Sequence, residues 1–235
     1  MKEVLGQMAI DPNRDKWSEM IRSLYESEHE RFAKVNTTER LGDAKQVLQR
    51  IKAEYADLKE PMWRAEGLVQ CRRDGSKSTT YGQLADRMLV DLDSQAIGMV
   101  APEIDDKDYD RKTLKLSEYR GKVVVLVFSG SWCVPCKAMY PDLRRLTEEH
   151  GSKPFAVLSV MSDTNVETVR DAVAKGEIKW RCWWDGGMEG PISTKWNVQS
   201  WPQIYVLDHK GVIRYRNVRG EALHKAVLEL LSAQK

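Results

Sequence analysis

The sequence predicts an α/β chain: a mixed sheet flanked by helices and preceded by an all-α region. Three observations carry that prediction. Up to about Ile97 the apolar residues recur only at helical spacing. Beyond Ala101-Pro102, two short apolar runs rich in β-branched residues, 123–128 and 155–160, flank a helical stretch at 137–150. Residues 203–207 and 212–216 are joined across Asp208-His209-Lys210-Gly211 in the manner of an antiparallel hairpin. The boundary separates a helical region, residues 1–96, with the pattern of a small bundle or a helical-hairpin repeat, from a sheet domain at 97–235.

A first helix is expected after Pro12-Asn13, with Trp17, Ile21, Leu24 and Tyr25 on one face. Leu41, Ala44, Leu48, Ile51, Tyr55 and Leu58 recur at steps of three and four and form the buried stripe of a second, which Pro61 ends. A turn at Asp74-Gly75 follows. Thr80-Tyr81-Gly82-Gln83 then has the form of a capping box, and Leu84, Met88 and Leu92 continue from it as a third stripe. In the second half, strand, helix and strand within about forty residues make a parallel βαβ unit with a right-handed crossover. The last helix, over 221–231, presents Leu223, Val227, Leu230 and Leu231.

Composition narrows the function. The 235 residues carry a formal net charge of +2, with 31% charged and 42% hydrophobic residues, so neither a nucleic acid nor an anionic membrane is an expected partner. The longest apolar run, 123–128, is far short of a membrane span. No h-region of a signal peptide is visible, since Gln7, Asp11, Asn13, Arg14 and Asp15 interrupt every candidate. Taken as written the chain belongs in a reducing cytosol, and in the cell envelope if an export segment precedes it.

Four cysteines are too few to staple a chain of this size. Two of them stand in Cys133-Val134-Pro135-Cys136, after a predicted strand and at the start of a predicted helix. Amides of a first helical turn favour a thiolate at Cys133 and lower a thiol pKa from about 8.5 toward about 7 or below. Two intervening residues put the second sulfur one turn along, in reach of a mixed disulfide on the first. Pro135 lies in the first turn, where its missing N–H costs nothing. A zinc site needs two further ligands at recognisable spacing, haem attachment needs His where Lys137 stands, and two inert buried thiols are the plain structural alternative. No metal or cofactor is expected.

Trp201-Pro202 precedes the predicted strand at 203–207, a place for a turn or a cis bond. Together with Ser131-Trp132-Cys133-Val134-Pro135-Cys136 this resembles the thioredoxin fold, in which an X-cis-Pro loop faces the cysteine pair and its backbone pairs with an extended substrate segment. Residues 97–235 resemble most the TlpA/ResA-type thiol-disulfide oxidoreductases, near the redoxin (AhpC/TSA) superfamily. The entry Ile97-Gly98-Met99-Val100-Ala101-Pro102, Leu116-Ser117-Glu118-Tyr119-Arg120-Gly121-Lys122 before the strand, Pro141, and Val206-Leu207-Asp208-His209-Lys210-Gly211-Val212-Ile213 carry the likeness. It implies that Cys133 attacks, Cys136 resolves and Pro202 is the cis-proline shaping a substrate groove. Trp132, Val134, Pro135, Trp201 and Pro202 are the expected substrate-binding residues. A protein disulfide or dithiol is the expected substrate, with a second thiol system as electron donor or acceptor.

The sequence departs from these relatives at two positions. Thioredoxins usually carry a buried Asp six residues before the first cysteine, where Val127 stands, and TlpA/ResA-type proteins often place a Glu six residues after it, where Met139 stands. The loss of both carboxylates motivates a second reading, a binding or scaffold module with weak redox activity. A third, thiol peroxidase, is disfavoured because Gly130 occupies the first position of the usual Thr-x-x-Cys. Trp180, Trp183 and Trp184 are expected to pack in a strand and core, Cys182 to be a buried unreactive thiol, and Cys71, beside Arg72 and Arg73, to be incidental.

Overall fold

The computed structural model describes residues 38–57, 71–72 and 80–233. The helix expected after Pro12-Asn13 lies outside these residues, as do Leu58, Pro61 and the Asp74-Gly75 turn. In chain order the elements are α1 (Thr38–Tyr55), β1 (Cys71–Arg72), α2 (Tyr81–Ser94), β2 (Asp105–Lys107), β3 (Thr113–Lys115) and a 3-10 turn (Leu116–Tyr119). There follow β4 (Val123–Ser129), α3 (Val134–His150), β5 (Phe155–Met161), α4 (Val166–Ala174), β6 (Arg181–Trp184) and α5 (Pro191–Lys195). The chain continues through β7 (Ser200–Trp201), β8 (Gln203–Leu207), β9 (Ile213–Arg216) and α6 (Gly220–Ser232).

Five strands form the main sheet in the order β6-β5-β4-β8-β9. β4 runs parallel to β5 and β5 to β6, while β8 is antiparallel to both β4 and β9. The two apolar runs are therefore strands, and every residue of β4 is buried. Each such aliphatic side chain contributes about 1.5–3 kcal/mol on burial, which fixes the sheet's centre. The helix between β4 and β5 starts at Val134, three residues earlier than the apolar pattern shows, because Cys133 serves as its N-cap.

The expected second and third helices of the N-terminal region are α1 and α2, packed on each other through Leu48, Ile51, Ala85 and Leu92. The capping box forms, with Thr80 Oγ1 accepting from the Gln83 amide at 3.2 Å and Gln83 Oε1 accepting from the Thr80 amide at 3.1 Å. Gly82 is needed for close approach. Its amide donates to the Ala56 carbonyl at 3.2 Å, and a Cβ there would lie 2.9 Å from backbone atoms of Ala56.

This region also contains a strand that the helical spacing does not show: β1 pairs antiparallel with β7, Cys71 opposite Trp201 and Arg72 opposite Ser200. A second hairpin, β2 with β3, was hidden for a different reason. Its residues are mostly charged and do not alternate. Its turn is held by the Asp108 carboxylate, which accepts from the amides of Asp110 and Lys112 and pairs with Arg181 at 2.7 Å.

Candidate active site

Cys133 and Cys136 are joined in a disulfide at the start of α3, with Cα atoms 5.2 Å apart. Cys133 has extended backbone (φ −90°, ψ 104°) and caps the helix, its Sγ accepting from the Cys136 amide at 3.2 Å. Pro135 sits in the first turn. When the pair is reduced, the same amide and the helix N-terminus face the sulfur of Cys133 and favour its thiolate. Both cysteines are buried in the disulfide, Cys133 at 0% and Cys136 at 1% exposure.

The Trp201-Pro202 peptide is cis, and it lies between β7 and β8. The Trp201 ring meets the Trp132 ring edge-on with centroids 5.7 Å apart, so the residue before Pro202 and the residue before Cys133 come together in space. Trp201 and Pro202 are buried, Trp132 is 38% exposed and Val134, at the outer face of the helix start, 77% exposed. Gly130 makes room for this arrangement, since a Cβ there would stand 2.5 Å from Trp132 Nε1.

Sequence reasoning missed the residues that hold these groups in place, Ser162 and Asp163. They follow β5 directly, beside the end of β4 that leads into the cysteines, and the Ser162 amide donates to the Ser129 carbonyl at 2.8 Å. Trp132 Nε1 donates to the Ser162 carbonyl at 2.9 Å and Trp201 Nε1 to Ser162 Oγ at 3.0 Å. Trp184 Nε1 donates to the Asp163 carbonyl at 2.7 Å. The Asp163 carboxylate accepts from the Ser131 amide at 3.0 and 3.2 Å, bracing the turn that enters Cys133. Burial pushes the Asp163 carboxyl above its ordinary value, against the opposing pull of the Ser131 hydrogen bonds and Lys137. The signal available in sequence was positional: polar residues at the carboxyl end of one parallel strand face the loop after its neighbour.

Val127 and Met139 are both buried, so apolar side chains occupy the two positions where a carboxylate was sought. Tyr140, four residues after Cys136 on the helix, is a buried titratable group. Its hydroxyl lies 3.0 Å from Ser129 Oγ, and burial pushes its pKa up to about 12, which keeps it a neutral hydrogen-bonding group. Cys182 is a free thiol, fully buried, with its pKa raised to about 12 by burial, and is therefore inert. Trp180 and Trp183 are core residues, while Trp184 stands at the surface as part of the Asp163 cluster.

Known proteins resemble this chain in sequence and in fold. The chain is 27% identical over 135 residues to the thiol-disulfide oxidoreductase ResA of Bacillus thuringiensis subsp. konkukian, covering 57% of this chain and 76% of that one. It is 30% identical over 120 residues to the thioredoxin-like protein YneN of Bacillus subtilis, covering 50% and 68%. Among solved structures, a thiol-disulfide oxidoreductase from Bacteroides fragilis superimposes with a TM-score of 0.53 at 27% identity, over 56% of this chain and 99% of that one. The thioredoxin domain of a thiol-disulfide oxidoreductase from Bacteroides vulgatus shares the fold with a TM-score of 0.54 at 24% identity, over 59% and 99%. Residues 97–216, which contain the cysteine pair, both tryptophans and the Ser162-Asp163 brace, match the AhpC/TSA family model, and the chain belongs to that family.

Proposed function

We propose that the chain is a thiol-disulfide oxidoreductase that exchanges electrons with protein disulfides through Cys133 and Cys136. The observation that carries this reading is the Cys133–Cys136 disulfide at the N-terminus of α3, in a chain of this family. In the reducing direction, the Cys133 thiolate attacks one sulfur of a substrate disulfide. A Cys133–substrate bond forms and the other substrate sulfur leaves as a thiolate. The Cys136 thiolate then attacks Cys133 Sγ, the second substrate sulfur leaves, and the Cys133–Cys136 disulfide remains. Two electrons pass from the pair to the substrate, whose two sulfurs take up protons, and a second thiol system restores the reduced pair. The oxidising direction is the same sequence reversed.

With Val127 and Met139 in place of carboxylates, the proton leaving Cys136 passes to water or to the departing substrate thiolate. In this reading a substrate segment lies against Trp132, Val134 and Pro135, with the buried Trp201-Pro202 peptide backing Trp132. Cys133→Ser is expected to abolish reduction of insulin disulfides, and Cys136→Ser to accumulate mixed disulfides visible on non-reducing gels. A Cys133→Ser protein that reduced insulin at the unmodified rate would overturn the reading.

A further inference from the structure

Catalysis on a polypeptide disulfide needs a surface that holds extended backbone beside the thiols. An open strand edge does this with main-chain hydrogen bonds alone. β7 is such an edge: it lies outside the five-stranded sheet, runs into Pro202, and carries Trp201, whose ring packs on Trp132 next to Cys133. Within the described residues that edge is already taken, because β1 pairs with it in antiparallel register. Resting on the exchange activity proposed above, we infer that β1 is a tethered occupant of the edge used by an extended substrate polypeptide, so the chain competes with its own substrates.

Two independent features support the inference. The first is how β1 is attached. The residues on either side of the connection that contains it are fixed to each other, Gly82 to Ala56, and α2 is fastened directly ahead of β7. Arg87 Nη1 donates to Gln199 Oε1 at 3.0 Å, and Asn197 Nδ2 donates to the Arg87 carbonyl at 3.0 Å and to Asp91 Oδ1 at 2.9 Å. Such anchoring makes pairing intramolecular and gives even a two-residue strand a high effective concentration at the edge. The second feature is the state of the nucleophile. Cys133 is 0% exposed although Trp132 and Val134 on either side of it are open. A partner sulfur must touch Cys133 Sγ to exchange with the disulfide, and β1 is seated on the edge whose Trp201 packs on Trp132 beside Cys133.

Cys71→Pro/Arg72→Pro removes both amide donors of β1. The KM for insulin is expected to fall about tenfold with kcat little changed, the factor by which an occupant seated about nine-tenths of the time weakens apparent affinity. Cys71→Ser keeps the amide and is expected to keep the wild-type KM. An unchanged or raised KM in the proline variant would overturn the inference, as would a fall of the same size in Cys71→Ser. Binding separates this inference from the exchange reading. An insulin B chain with serine in place of cysteine is expected to protect the amides of 200–201 from hydrogen exchange at about tenfold lower concentration in the proline variant. Equal concentrations would overturn the inference whether or not either protein reduces disulfides, whereas failure to reduce any disulfide would overturn only the exchange reading.

Discussion

Strand β4 buries all seven of its residues, and its two neighbours in the sheet, β5 and β8, extend that buried layer. Among the described residues, the α1–α2 pair shares a core of four buried residues and reaches the sheet domain through polar groups: Asn197 and Gln199 on Arg87 and Asp91, Arg216 on Asp91, and the Tyr205 hydroxyl on Gln95 Oε1 at 2.6 Å. Hydrophobic burial is non-directional and fixes the sheet as a unit. Hydrogen bonds to a few named partners fix a position, and here the position is the segment just before Trp201-Pro202. The sheet supplies a rigid frame for the cysteines, and the helix pair sets what lies beside them.

The difference is tested first by removing equal amounts of hydrophobic packing from each region. Leu126→Ala in β4 is expected to cost about 2–5 kcal/mol of global stability, because the cavity sits in the cooperative core. Leu48→Ala in α1 removes the same atoms from a fully buried site, yet its effect is expected to stay local, as faster amide exchange across 38–55 and 81–94 with β4 unchanged. Equal losses of the global urea midpoint would make the two regions one cooperative unit and remove the distinction.

Polar docking is the second contrast. Asp91 accepts from Asn197 through one oxygen and pairs with Arg216 at 3.1 Å through the other. Asn197 is itself a fitted part, the residue after the cap of α5, at φ 47°, a conformation that asparagine tolerates better than most residues. Asp91→Ala is expected to cost about 1–3 kcal/mol at this junction, the penalty for stripping half-buried donors of a charged acceptor. Amide exchange at 81–94 and 200–201 should rise together while β5 keeps its protection. A rise at 81–94 alone would show that α2 does not hold β7.

The same contrast explains what was legible in the sequence. β4, β5 and β8 were readable because strands buried on both faces are written as unbroken apolar runs, and α1 and α2 because one buried stripe repeats at helical spacing. Cys133, Cys136 and the Trp201-Pro202 peptide announced themselves by residue type, spacing and position beside predicted elements. Ser162, Asp163 and Asn197 gave no such sign. Each works through hydrogen bonds to residues more than twenty positions away, and no local pattern encodes a long-range polar contact. β1 was hidden for the same reason, since two residues become a strand only when Ser200–Trp201 lies opposite.

The smallest expected effect concerns the brace under the cysteines. Asp163 is buried and its pKa is raised, first by desolvation, while its Ser131 hydrogen bonds and Lys137 recover part of the cost. The folded chain therefore holds this proton at a pH where the unfolded chain has released it. Between the ordinary carboxylate value, about 3.9, and the raised one, stability falls as pH rises, and above that window the penalty is constant. Asp163→Asn cannot ionise, and its side-chain carbonyl still accepts from the Ser131 amide. The urea midpoint of the variant relative to wild type is thus expected to climb as pH increases through that window and then level off. A difference that stays flat from about pH 3 to pH 7 would mean that Asp163 is solvated like a surface carboxylate, and would place the rigid boundary of the sheet domain short of the turn that carries Cys133.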